Sequence, residues 1–268
     1  MDNTALDYLI DEGLGSYIDF SISDQVFESK RDEMMAAVDP ENRIPFPPVP
    51  SDLARLHRSV RTRKVTTVLE FGVGYSTIVM ADALYKNRQD YGEFVNSKLR
   101  RNNAFEIHAV DADSEFMEKT KTLLPEDLAE VVHFHQSDVM TASVDGRVAT
   151  YYENLPNILP DFIYLDAPDQ FIATGDIRGI STRHPDRMPM SADILAFEHF
   201  LTPGTLILID GRTANARYLA SNLQRGWVHN HDEISDVHTF ELRELPLGPY
   251  NRLQIEFCLG VEWLDGLE

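Results

Sequence analysis

The stretch Val68-Leu-Glu-Phe-Gly-Val-Gly-Tyr-Ser-Thr77 decides how the rest of the chain is read. The β-branched run Val65-Thr-Thr-Val-Leu69 leads into it, so a strand ends near Glu70 and Phe71. Glycines follow at 72 and 74, and a helix is predicted from Ser76 to about Lys86. Glycines at such a turn let the backbone reverse sharply and approach a ligand that a Cβ would strike. The free N–H groups at the start of the helix then face whatever binds there. A third small residue at position 77 would complete a dinucleotide fingerprint, but Thr77 stands there. Glu70, just before the loop, works against a bound pyrophosphate and suits a ligand whose near end is cationic.

Downstream, the strand–turn–helix rhythm repeats. Phe105–Val110, Val131–His135, Asp161–Leu165 and Thr205–Ile209 read as further strands, with helices over Ser114–Leu124 and Ala214–Gln224. Strands that are apolar throughout and separated by helices imply a parallel sheet covered on both faces. Near the end, Val237–Leu242 and Leu253–Cys258 flank the Pro/Gly-rich segment 245–251 and are expected to pair as a hairpin. Residues 1–60 read as a helical cap and residues 61–268 as the main domain. In the cap, Ser23-Asp24 starts one helix running to about Val38 and Ser51-Asp52 starts a shorter one. The proline-rich connector Arg43–Pro50 separates them.

With 43% apolar and 25% charged residues, the 268-residue chain has an ordinary globular composition. Its net charge of −20 disfavours nucleic acid and anionic membrane surfaces as partners. The acidic N-terminus lacks the apolar stretch of a signal peptide. No run approaches the roughly 18 apolar residues of a membrane span. The single cysteine, Cys258, lies in an apolar run and is read as a core residue. A reducing, cytoplasmic setting is therefore expected.

Acidic residues close successive strands. Asp111 ends the second strand, where a carboxylate can accept both hydroxyls of a ribose; Asp113 reads as the cap of the next helix. Asp138 follows the third strand, in reach of an adenine amino group. Ligands of open α/β sheets bind at this rim. With these residues in place, the chain resembles the class I, Rossmann-like methyltransferases that use S-adenosylmethionine. The resemblance runs from about Thr66 to Leu259. It implies a doubly wound, mostly parallel seven-stranded sheet of order 3-2-1-4-5-7-6, with one antiparallel strand near the C-terminus. It also implies a cofactor site made of Glu70, Gly72, Gly74, Tyr75, Ser76, Thr77, Asp111, Ala112, Ser137, Asp138 and Asp166.

On the acceptor side, Asp166 and Asp210 end neighbouring strands. In some O-methyltransferases of the family such acids hold a divalent ion with a further Asn or acid, but here Gly211 and Arg212 follow Asp210. A metal and a structural salt bridge both stay open; acceptor orientation by Asp166, Asp210 and Arg212 without metal is favoured. The long segment Pro168–Pro189 carries Arg178, Arg183, Arg187 and His184. It reads either as a solvated loop or as a lid over an anionic or strongly polar acceptor, with His184 or Asp166 as the base. The histidines 229, 231 and 238 read as surface and cross-strand packing. The reaction expected is O-methylation of a small molecule or sugar, yielding S-adenosylhomocysteine. NAD-type oxidation, aminopropyl transfer and a non-catalytic cofactor-binding module are the rivals.

Overall fold

The computed structural model describes residues 3–21 and 47–267. Seven strands form the main sheet: β1 (Thr67–Phe71), β2 (Glu106–Asp111), β3 (Val132–Gln136), β6 (Phe162–Leu165), β7 (Leu206–Asp210), β8 (Trp227–Asp232) and β9 (Val237–Leu242). Two more, β4 (Val139–Val144) and β5 (Arg147–Tyr152), form a separate antiparallel ribbon. The main sheet runs β3-β2-β1-β6-β7-β9-β8, which is 3-2-1-4-5-7-6 once the ribbon is set aside. Only β9 is reversed, antiparallel to both β7 and β8. The ribbon is an addition to the expected plan.

Three helices meet on one face of the sheet: α1 (Asn3–Asp11), α2 (Pro50–Thr62) and α3 (Tyr75–Lys98). Leu9, Leu53, Leu56 and Val60 share a core with Val68, Ile78 and Ile107, so the leader is built into the same apolar layer as β1 and α3. A second core on the other face holds Phe71, Ile163, Ile209, Leu219 and Phe240. The remaining helices are α4 (Ser114–Leu123), α5 (Asp193–Phe197), α6 (Thr213–Ala220), α7 (Pro249–Cys258) and α8 (Val261–Asp265). Among the described residues, no helix is long and apolar enough to cross a membrane.

Several boundaries differ from expectation, each for a physical reason. The helix expected over residues 24–38 lies outside the described residues. Helix α2 starts one residue before Ser51, with Pro50 in its first turn where a missing N–H costs nothing. Helix α3 runs on to Lys98 because its last turns bury Val95 against Leu99 and Phe105. Leu253–Cys258 is helix, not strand. Gly248 and Pro249 start it, and Asn251, Ile255 and Cys258 form one buried helical stripe that the alternation Leu-Gln-Ile-Glu-Phe conceals. The hairpin partner of β9 is β8, whose polar run Trp-Val-His-Asn-His-Asp carried no strand signal. Cys258 is buried as expected, and burial pushes its thiol pKa up.

Candidate functional site

The C-terminal ends of β1, β2, β6 and β7 place Glu70, Asp111, Asp166 and Asp210 along one rim. At its centre is the glycine loop. Gly72 has a φ of +106°, and a Cβ there would stand 3.3 Å from the Cβ of Ala167, so only glycine fits. Its N–H donates to the Val110 carbonyl, and the Asp166 N–H donates to the Phe71 carbonyl, which locks β2, β1 and β6 in step at the rim. A Cβ at Gly74 would meet open space, leaving room there for a ligand.

Glu70 is fully buried. Ser76 Oγ donates to one carboxylate oxygen at 2.5 Å and Thr77 Oγ1 to the other at 2.7 Å. Thr77 Oγ1 also accepts the Gly74 N–H at 3.1 Å. Glu70 therefore ties the loop to the start of α3 and presents no surface to a ligand, a different job from the one its position suggested. Burial drives its pKa up to about 8, against the two hydroxyls, with Asp166 and Asp111 adding repulsion. Thr77, read from sequence as an obstacle to pyrophosphate, is an internal tie.

Asp111 is half-buried at the end of β2 and accepts the Asp113 N–H on Oδ1 at 2.8 Å. Burial raises its pKa to about 6. Asp113 caps α4 as expected, accepting the N–H groups of Glu115 and Phe116. Ala112 packs against the second core. Ser137 is buried; its N–H donates to the Asp111 carbonyl and its Oγ accepts the Asn154 N–H. Asp138 is exposed beside it. Tyr75 packs partly buried at the first turn of α3.

Asp166 follows the end of β6, exposed to solvent yet walled by protein on its other sides. The walls raise its pKa to about 6, opposed by the Arg212 charge and by a hydrogen bond from Tyr164. Water reaching the carboxylate moderates that rise. Asp210 is raised by burial and by Asp52 and Asp166, with Arg55 opposing. Arg55 lies 3.9 Å from Asp210 and 3.0 Å from Asp52. Asp52 and Arg55 come from leader helix α2 and were missed as site residues, since Ser51-Asp52 reads as an ordinary helix start.

Arg212 reaches the loop after β6. Its Nη1 donates to the Asp166 carbonyl at 2.7 Å and its Nη2 to the Pro168 carbonyl at 2.5 Å, which staples the loop after β6. Two of the three arginines of the 168–189 segment bond within it: Arg183 donates to the Gly175 carbonyl and Arg187 to that of Ser181, while Arg178 is exposed. His184 is exposed and spends Nδ1 on the Asp186 N–H. The segment is fastened to both edges of the ribbon, Thr174 beside β4 and Ser191 beside β5. The segment is thus a loop tethered to the ribbon, with Arg183 and Arg187 bonded within it. Among the described residues, the groups of three metal-capable side chains include neither Asp166 nor Asp210. Two guanidinium groups and the bare Gly211 flank those acids instead.

No protein-family model and no curated protein matches the chain. Among solved structures it is similar to an O-methyltransferase from Streptomyces achromogenes involved in tomaymycin synthesis, in complex with SAM. The identity is 15%, covering 80% of this chain and 86% of that one, with a TM-score of 0.40. An O-methyltransferase from Bacillus cereus in complex with SAH is also 15% identical, covering 88% and 96%, with a TM-score of 0.41. An SAH-bound methyltransferase from Podospora anserina is 12% identical, covering 88% and 96%, with a TM-score of 0.42.

Proposed function

We propose that the chain is a cytoplasmic S-adenosylmethionine-dependent methyltransferase that methylates a hydroxyl of a small molecule or sugar. One observation carries the reading: a glycine loop at the head of β1, open at Gly74, stands beside the carboxylate of Asp111 in a sheet of order 3-2-1-4-5-7-6. Gly72 and Gly74 give the cofactor backbone to lie on, Asp111 takes the ribose hydroxyls, and Ser137 and Asp138 take the adenine. Asp111 and Asp166 favour a sulfonium and oppose a pyrophosphate, which argues against a dinucleotide.

The cofactor supplies a methyl group on a positively charged sulfur. The protein's work is alignment, which is worth roughly 7–11 kcal/mol in such displacements, and removal of the acceptor's proton. Asp166 is the proposed proton acceptor. It is open to the cleft, oriented by Tyr164, and ionised above about pH 6. Asp52, Arg55 and Asp210 orient the acceptor, and the leader of residues 1–60 acts as the cap that brings the first two. The acidic floor favours a neutral, hydroxyl-rich acceptor over an anionic one.

Mass spectrometry of small molecules carried through purification, followed by calorimetry with S-adenosylmethionine, S-adenosylhomocysteine and NAD, tests the proposal. Binding of the first two and not of NAD is expected. NAD binding without S-adenosylmethionine binding would overturn it.

A further inference from the structure

The β8–β9 hairpin gathers side chains that the methyl-transfer reading does not use. His231 and His238 stand directly opposite each other, and Asp236 lies at the turn between their strands. Asp236 Oδ1 is 3.2 Å from His231 Nε2 and 3.9 Å from His238 Nε2, and the three atoms lie within 4.8 Å of one another. Donors at about 2.0–2.2 Å around a tetrahedral zinc ion stand roughly 3.3–3.6 Å apart, so this spacing suits one. We propose that the tip of this hairpin binds zinc through His231 Nε2, His238 Nε2 and Asp236 Oδ1.

Three further observations support the site. His238 Nδ1 lies 3.0 Å from His229 Nε2, the kind of partner on the second ring nitrogen that fixes a ligating imidazole. Thr213 Oγ1 donates to Asp236 Oδ1 and stands 3.1 Å from His238 Nε2, which holds these two atoms side by side. Two imidazoles and one carboxylate with one position left over form a donor set that borderline cations such as zinc prefer to magnesium or calcium. The His231 and His238 rings are stacked at 3.8 Å and 9°, so binding requires them to tilt about χ2, a soft torsion.

Two other clusters of metal-capable side chains occur among the described residues. Around His57, the Lys86 ammonium already lies 2.8 Å from both Asp82 and Glu12 and supplies the cation. At the opposite sheet edge, Glu106, His108 and His133 form a comparable group, with His108 Nε2 2.9 Å from Glu106 and Asn103 on the same oxygen; the His133→Ala variant below separates it from the hairpin. The hairpin site also adjoins the acceptor rim, since Val237 pairs with Asp210 and the Gly211 N–H donates to the Asp236 carbonyl. The proposal holds whether or not the cleft transfers methyl groups.

The test uses the full chain without a histidine tag, stripped with a chelator and titrated with cobalt(II), then with zinc. One equivalent of cobalt should give the visible absorption of tetrahedral cobalt(II), and zinc should bleach it. Removing a second-shell partner weakens metal binding about 10–100-fold, so His231→Ala, which removes a ligand, should weaken zinc by more than about 100-fold. Asp236→Asn, which keeps the side chain's shape, should also weaken it, with circular dichroism confirming the fold of both. His133→Ala on the opposite edge should change nothing. No tetrahedral band, a band that survives His231→Ala and Asp236→Asn, or a band lost in His133→Ala would each overturn the proposal.

Discussion

On the glycine-loop side of the rim, Glu70 reaches Ser76 and Thr77 within the same strand–turn–helix unit, and Asp111 reaches Asp113 two residues on. On the acceptor side the partners come from opposite parts of the chain. Arg55 of the leader meets Asp210 of β7, and Arg212 holds the carbonyls of Asp166 and Pro168. The first half is assembled by local turns, the second by long-range packing of α2 onto the sheet. The glycine-loop half therefore needs only the pairing of β1 with β2 and β6, whereas Asp210 of the acceptor half meets Arg55 only with the leader docked.

If the halves have separate tasks, substitutions should separate them. The largest expected effect is Asp166→Asn. Loss of a general base costs about 10²–10⁴-fold in rate, so kcat should fall by that order while S-adenosylmethionine affinity changes little, read by single-turnover kinetics and calorimetry. Equal losses in both would merge the halves. Asp111→Ala should do the reverse. Lost hydrogen bonds to a charged group are worth about 1.5–3 kcal/mol, a roughly 10- to 150-fold loss of cofactor affinity. Unchanged affinity in a folded variant would take Asp111 out of the site.

The buried acid of the glycine-loop half also predicts a pH signature. Glu70 has a pKa near 8 in the folded protein and an ordinary carboxylate pKa once unfolded. The folded state then binds more protons between pH about 4.5 and 8, so stability falls as pH rises through that window. The Tm should drop across it, and Glu70→Gln should flatten the drop. A Tm that rises with pH over the same range would contradict the burial of Glu70. The smallest effects belong to the arginines. Arg55→Ala, breaking a partly exposed pair worth up to about 1 kcal/mol, should raise the acceptor KM by at most about fivefold. The triple alanine variant of Arg178, Arg183 and Arg187 should shift it by less than about twofold, as surface changes do.

The same contrast explains what could be read without coordinates. Strand ends at Phe71, Asp111 and Asp210 and the cap at Asp113 follow from local pattern, and they came through with shifts of a residue or two. The bonds of Arg212 to two carbonyls were not legible, because a strand-end arginine looks the same whatever it reaches. Asp52 and Arg55 carry no local mark of their tertiary partner. The ribbon was legible and overlooked. Asp145-Gly146, both with positive φ, joins two runs rich in β-branched residues, a strong short-range hairpin signal. Leu253–Cys258 shows the opposite failure, an alternating pattern overridden by Pro249 and tertiary burial.

The ribbon's grip on the 168–189 segment has a consequence for how the protein can change. Thr174 and Ser191 are held on its two edges, so the residues between them hang as a closed loop whose ends are fixed by the scaffold. Doubling the length of such a loop adds only about 0.6 kcal/mol of closure entropy. The span can therefore be lengthened, shortened or rewritten with little cost to the sheet or to the acids beneath it. It is an exchangeable cassette on a fixed scaffold.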